Sequence, residues 1–226
     1  MRKTFLLFLL LAIAAGGLWT TTDADAQLQH QAFSAVLNPQ RYDDSDDKIE
    51  VVYFFWYGCS HCYDSDKTTS LFLSSLPSDV RVVRLPAIFD PNDDSAFHAR
   101  LYYSLRELGA ELNLRTNAFL AVQNMTVSNT PAKPSHSYGL ISKQAQESFA
   151  VANGISRAEY SAAYDSDRVI DNLTKAKEYY DAVEIRAVPT MIVNGRYILP
   201  YSQTFYQVAE QLINQERERL ASGEAQ

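Results

Sequence analysis

The chain has 226 residues, with 20 Lys and Arg against 27 Asp and Glu, a formal net charge of -7, and two cysteines. An acidic chain without a Lys/Arg cluster lacks the electrostatic footprint of a nucleic-acid binder. It is also long enough to bury its own core, so two cysteines are not the disulfide framework of a small stapled fold.

Residues 1–26 read as a secretory signal: Arg2-Lys3, an apolar run from Phe5 to about Leu18, then Ala24-Asp25-Ala26 before Gln27. The run is shorter than the ~20 residues a membrane span needs, and a retained signal-anchor is the alternative. Removing the signal deletes Arg2, Lys3, Asp23 and Asp25, so the net charge stays at -7.

Gln27 to Asp47 is a polar lead-in ending in Asp43-Asp44-Ser45-Asp46-Asp47, with a short strand near Phe33–Val36. Lys48 to Phe55 is a buried strand, followed by a helix that opens at the cysteines and runs to about Leu76. Leu76-Pro77-Ser78-Asp79 turns the chain into a second strand from Val80 to Ile88. This β-α-β order predicts a parallel pair.

Helices follow. Asp93-Asp94-Ser95 starts one whose face carries Phe97, Leu101, Leu105, Leu108 and Leu112. Phe119 to Met125 is a shorter one, 126–139 a loop with Pro131 and Pro134, and helix resumes from Leu140 to Ala152. Ser156 and Glu159 form a capping box, and Val169, Ile170, Leu173, Ala176 and Tyr180 make another apolar face. These stripes are expected to be core contacts. Ala187 to Val193 is a late strand, Asn194-Gly195 a hairpin signal, Arg196 to Leu199 the returning strand, and Phe205, Val208, Ala209, Leu212 and Ile213 mark a last helix. The expected division is a signal at 1–26, sheet halves at 27–90 and 183–226, and a helical insertion at 91–182.

The chemistry concentrates at Gly58-Cys59-Ser60-His61-Cys62. Two thiols three apart on the first turn of a helix close a small disulfide suited to exchange. A four-residue loop gains little from cross-linking, which weighs against an inert staple. Zinc normally takes four ligands, and His30, His98 and His136 lie too far apart in sequence to complete a metal site; they are expected at the surface or on helix faces. At the helix start, free N–H groups favour an anion, so the Cys59 thiolate is stabilised and its disulfide becomes more oxidising. His61 adds a donor, or a charge when protonated; a solvated ring without effect on sulfur is the alternative. The leading Cys59 is expected to be exposed and attacked, and Cys62 buried.

A strand, a Cys-x-x-Cys helix, then a late Val188-Pro189-Thr190 before a hairpin and a terminal helix resembles the thioredoxin arrangement. With the helical insertion, the His inside the motif and the signal, the chain resembles the DsbA family of periplasmic disulfide oxidases. The likeness is strongest from Phe54 to Tyr63 and from Val188 to Tyr197, and it also touches Asn153 to Ala163. It implies an α/β, thioredoxin-like fold with a large helical insertion, and a periplasmic monomer that donates a Cys59–Cys62 disulfide to exported proteins with reduced cysteines. It implies no metal or bound cofactor, and a quinone-linked membrane reoxidant of the DsbB type. It further implies a cis Pro189, with Val188, Pro189 and Thr190 meeting substrate; a trans proline at a strand edge is the alternative.

Two departures stand out. Ser60 occupies a position where the family often has Pro, and this residue tunes the potential. Tyr53 occupies a position, six before the first cysteine, where many members have a buried acid; Glu50 and water are the candidates to replace it. Two other functions stay open: a disulfide reductase or isomerase, and a redox-independent chaperone-like binding module. Isomerases of this type usually carry a dimerisation domain, and Gln27 to Asp47 is too short for one.

Overall fold

The computed structural model describes residues 32–124 and 138–223. The expected signal, His30, and most of the loop expected at 126–139, including Pro131, Pro134 and His136, lie outside the described residues.

Five strands form one mixed sheet: β1 (Ser34–Ala35), β2 (Ile49–Phe55), β3 (Val80–Pro86), β4 (Thr190–Val193) and β5 (Tyr197–Pro200), in the order β1-β5-β4-β2-β3. Strand β2, Ile-Glu-Val-Val-Tyr-Phe-Phe, is buried at every position, as a central strand covered on both faces must be. It runs parallel to β3, with Tyr53 opposite Arg84, and antiparallel to β4, with Phe54 opposite Thr190. Helix α1 (Ser60–Ser75) follows β2, and α7 (Phe205–Ala221) closes the chain. Between β3 and β4 lie α2 (Asp94–Glu107), α3 (Glu111–Val122), α4 (Lys143–Ala152), α5 (Arg157–Tyr164) and α6 (Asp167–Val183).

The pleat of β2 sends alternate side chains to opposite faces. Tyr53 and Phe55 stack on one face, and the Arg84 guanidinium lies over both rings, 5.0 and 5.1 Å from their centroids. Arg84 pairs with Asp66, which ties this face to α1. On the other face Phe54 packs on Tyr179 and Tyr180 of α6. The sheet is thus covered by α1 on one side and by an insertion helix on the other.

The turn chemistry appears where expected. Asn194 and Gly195 have φ of 49° and 67°, the left-handed pair a tight hairpin requires. A Cβ on Gly195 would lie 2.3 Å from the Gln40 carbonyl oxygen. The Ser156–Glu159 capping box is closed in both directions.

Five expectations are corrected. The apolar face expected from Phe97 to Leu112 is broken at Gly109, whose φ of 66° ends α2; Leu112 belongs to α3 and is exposed. The helix expected from Phe119 instead begins at Glu111. Leucines at helical spacing run straight through the break, so periodicity hides it. Phe97 and Ile170 do not close into the core but are exposed, and Phe97 lines an open groove with Ile88, Arg100, Tyr164 and Leu173. The late strand starts at Thr190 rather than Ala187, because Pro189 has no N–H to give a ladder. Finally, His98 lies on a helix face, one of the two places expected, but it is not at the surface: it is 1 % exposed.

Candidate active site

Strand β2 ends at Phe55, and the turn Trp56-Tyr57-Gly58 delivers the chain into α1. Cys59 is the N-cap of that helix, with φ -88° and ψ 117°. Its N–H donates to the Trp56 carbonyl at 3.0 Å, and its sulfur accepts the Cys62 N–H at 3.2 Å. A sulfur therefore occupies the place where an N-cap oxygen normally satisfies an orphan amide. Both cysteines are free thiols. Cys59 is partly exposed, whereas Cys62 is fully buried on the stripe Cys62, Ser65, Thr69 and Leu73 that faces the sheet.

This asymmetry sets the two thiols apart. The Cys59 pKa is lowered, chiefly because the Cys62 thiol donates to its sulfur, and further by the backbone N–H groups of Cys62 and His61; burial opposes them. The Cys62 pKa is raised by burial, and by its bond and its proximity to Cys59. One sulfur is held ready as a thiolate and the other as a thiol. The arrangement is that of an exposed nucleophile or electrophile with a buried resolving partner.

The late loop closes over the pair. The Val188–Pro189 bond is cis. The Val188 carbonyl oxygen accepts from the Cys59 thiol at 3.4 Å. Thr190 is buried, and its hydroxyl donates to the Ala187 carbonyl at 2.8 Å, so it shapes the loop from inside. Ser60 and His61 are exposed. The His61 ring sits 6.3 Å from that of Tyr201, centroid to centroid, while its backbone N–H turns to Cys59.

The residue that takes the place of the family's buried acid is isolated. Tyr53 is fully buried, and its hydroxyl has no hydrogen-bond partner among the described residues. Burial raises its pKa, and the nearby Cys62 raises it further. Glu50 does not substitute. It lies on the opposite face of β2, near the far end, and its carboxylate accepts the N–H of Tyr42 at 2.6 Å and of Asp43 at 3.0 Å and a bond from Arg81 at 3.2 Å.

Sequence reasoning missed three residues of the surrounding shell. Gln123, at the end of α3, donates to the Tyr57 carbonyl at 2.9 Å and to that of Cys59 at 3.3 Å. Glu111 holds Arg115 through two bonds of 2.7 Å and accepts from the Tyr57 hydroxyl at 3.2 Å. His98 bonds the Trp56 indole at 2.9 Å. All three come from the insertion helices, and no local pattern announces them. Among the described residues, no cluster of three or more His, Cys, Asp or Glu side chains is arranged to hold a metal ion.

No family model matches the chain. It is similar to curated proteins named thiol:disulfide interchange protein DsbA. The one from Pseudomonas syringae pv. tomato is 34% identical over 175 residues, covering 75% of this chain and 76% of that protein. The one from Burkholderia cepacia is 28% identical over 197 residues, covering 87% and 86%. Among solved structures, that of Pseudomonas aeruginosa DsbA superposes with a TM-score of 0.73 at 27% identity, over 84% of this chain and 94% of that one. Similarity of this extent, in sequence and in fold, makes the chain a member of the DsbA family of thiol:disulfide oxidoreductases.

Proposed function

We propose that this protein is a periplasmic thiol oxidase whose working group is the Cys59–Cys62 disulfide. An exported protein brings a cysteine thiolate to Cys59. The new S–S bond forms at the Cys59 sulfur as the Cys59–Cys62 bond breaks, and its electron pair leaves on Cys62. Buried Cys62 then takes a proton and rests as a thiol. A second substrate thiolate attacks the substrate's own sulfur in the mixed disulfide and displaces Cys59 as a thiolate. The substrate has lost two electrons and the protein has gained them.

The observation that carries this reading is the division of labour between the sulfurs. Cys59 leaves easily because hydrogen bonds stabilise it as a thiolate, and stabilising the thiolate in the dithiol form makes the disulfide a stronger oxidant. The Val188 carbonyl beside the sulfur offers an acceptor to the backbone of an extended substrate, as in strand addition. Pro189 holds that loop, and Thr190 braces it from within. Ser60 tunes the potential from the middle of the motif, and His61 does so through its N–H and its exposed ring.

The disulfide itself carries the electrons, with no bound cofactor. A quinone-linked membrane protein of the DsbB type returns the dithiol to the disulfide. The protein acts as a monomer on exported proteins and takes no nucleic acid.

The test is the equilibrium of the Cys59–Cys62 pair against a glutathione buffer. A pair that stays reduced at glutathione ratios that keep protein disulfide isomerase oxidised supports the oxidase. A pair that stays oxidised in reducing buffer assigns the protein to the reductases instead.

A further inference from the structure

Trp56 is the first residue of the turn that presents the cysteines, and its side chain is held from outside the thioredoxin-like part. The indole N–H, which can only donate, bonds the Nδ1 of His98 at 2.9 Å. That fixes the tautomer: Nδ1 is the acceptor, so the proton sits on Nε2, which donates to the Gly139 carbonyl at 2.9 Å. Burial lowers the His98 pKa and so favours this neutral ring. Phe89 and Tyr138 box the indole, with ring centroids 5.4 and 4.6 Å away.

The six-membered ring of the indole lies against the backbone of the turn at Gly58. A Cβ on Gly58 would stand 2.4 Å from an indole carbon, so the ring occupies the space a side chain would need. Displacing the indole therefore displaces Gly58, the residue before Cys59. Trp56 also grips the pair through its backbone. Its carbonyl accepts the Cys59 N–H at 3.0 Å, and its N–H turns toward the Cys62 sulfur.

We propose that His98 is a positioning residue for thiol–disulfide exchange: by holding the Trp56 indole against Gly58, it keeps Cys59 at the N-cap of α1, where its thiolate is stabilised. This inference rests on the proposed function for its direction. The dithiol form depends on an exact placement of donors around Cys59, whereas the disulfide has no thiolate to stabilise. Loosening the turn therefore costs the dithiol more, and the protein becomes a weaker oxidant.

The test compares H98L, which abolishes the bond, with H98Q, whose amide can accept from the indole and donate to Gly139. W56F removes the indole donor. Three readings are taken: the glutathione equilibrium, the Cys59 titration by thiolate absorbance, and the Trp56 indole N–H resonance, assigned by its loss in W56F. Expected for H98L are a shifted, faster-exchanging indole N–H, a raised Cys59 midpoint, and an equilibrium moved about three- to tenfold toward the disulfide, the range one lost buried hydrogen bond carries. H98Q returns the equilibrium to within about twofold of the parent, as a preserved pair of bonds implies. Adding H98L to W56F changes little, because the two groups act as one unit.

Folded H98L with the parental equilibrium and Cys59 midpoint overturns the proposal, and so does an H98Q as weakened as H98L while its indole N–H stays bonded. If H98L does not fold, W56F and H98Q decide: the proposal stands on a weakened W56F and a restored H98Q, and falls on a W56F with parental equilibrium. If the parent pair proves reducing rather than oxidising, the proposed function fails. His98 is then still tested by the shift between variants.

Discussion

The sulfur of Cys59 lies 3.4 Å from the carbonyl oxygen of Val188, although 129 residues separate them in sequence. Every residue of the five insertion helices falls inside that interval. The site is thus an assembly of the two sequence halves of the sheet, at the end where Phe54 of β2 pairs with Thr190 of β4, and the insertion contacts the turn that leads into Cys59.

Cys62→Ser traps mixed disulfides through Cys59. Cys62 has no exposed surface, and a substrate cannot reach it while α1 is folded. In this variant the Cys59 thiolate attacks a disulfide of an exported protein, whose other sulfur leaves as a thiolate, and with no Cys62 to displace Cys59 the mixed disulfide persists. Mass spectrometry of the protein taken from cells counts these adducts. Abundant adducts on Cys59→Ser and none on Cys62→Ser would reverse the roles.

His61→Ala weakens the oxidant only modestly, by about fivefold or less in the glutathione equilibrium, because an exposed ring acts through screened electrostatics. The substitution keeps the backbone N–H that reaches Cys59. A loss of two orders of magnitude would show that the ring, rather than the N–H, stabilises the sulfur.

The stability of the dithiol form depends on pH in a way the disulfide form does not share. The Cys59 pKa lies below the ordinary thiol value of 9.0. A depressed acid contributes stability above its unfolded value and loses it as pH falls through its folded value. The dithiol therefore gains on the disulfide as pH rises from the lowered Cys59 midpoint toward 9.0. Cys62 is raised, so above 9.0 it ionises only in the unfolded chain and pulls the other way. Urea unfolding of both forms across this range measures the difference. A gap independent of pH would mean that Cys59 titrates like a free thiol.

Tyr53→Phe stabilises the dithiol form by about 1 kcal/mol, the lower end of the cost of a buried polar group without a partner. Its hydroxyl is fully buried and unbonded, while the hydroxyls of Thr69 and Ser65 are engaged elsewhere, with Tyr206 at 2.8 Å and with the His61 carbonyl at 2.7 Å. Chemical denaturation under reducing conditions gives the difference. A loss of stability of similar size would show that the phenol has a partner, such as a buried water.

Local chemistry was legible in the residues themselves. The all-apolar run of β2 apart from Glu50, the Asn194-Gly195 turn, the Ser156 cap and the Cys59–Cys62 spacing each depend on neighbours within a few positions, and each appears where the sequence puts it. The order of these elements was enough to point to the family.

Burial and long-range pairing were not legible. His98 looks like any lone histidine until α2 packs it against Trp56, 42 residues away. Gln123 and Glu111 gain their contacts only when α3 reaches the turn at Tyr57. Tyr53 is an ordinary strand residue by pattern, and only the packed core leaves its hydroxyl unpartnered beside Cys62. Sequence periodicity and turn chemistry report on the backbone nearby. Desolvation and hydrogen-bond completion are properties of the space around a side chain, and only the tertiary fold determines which residues fill it.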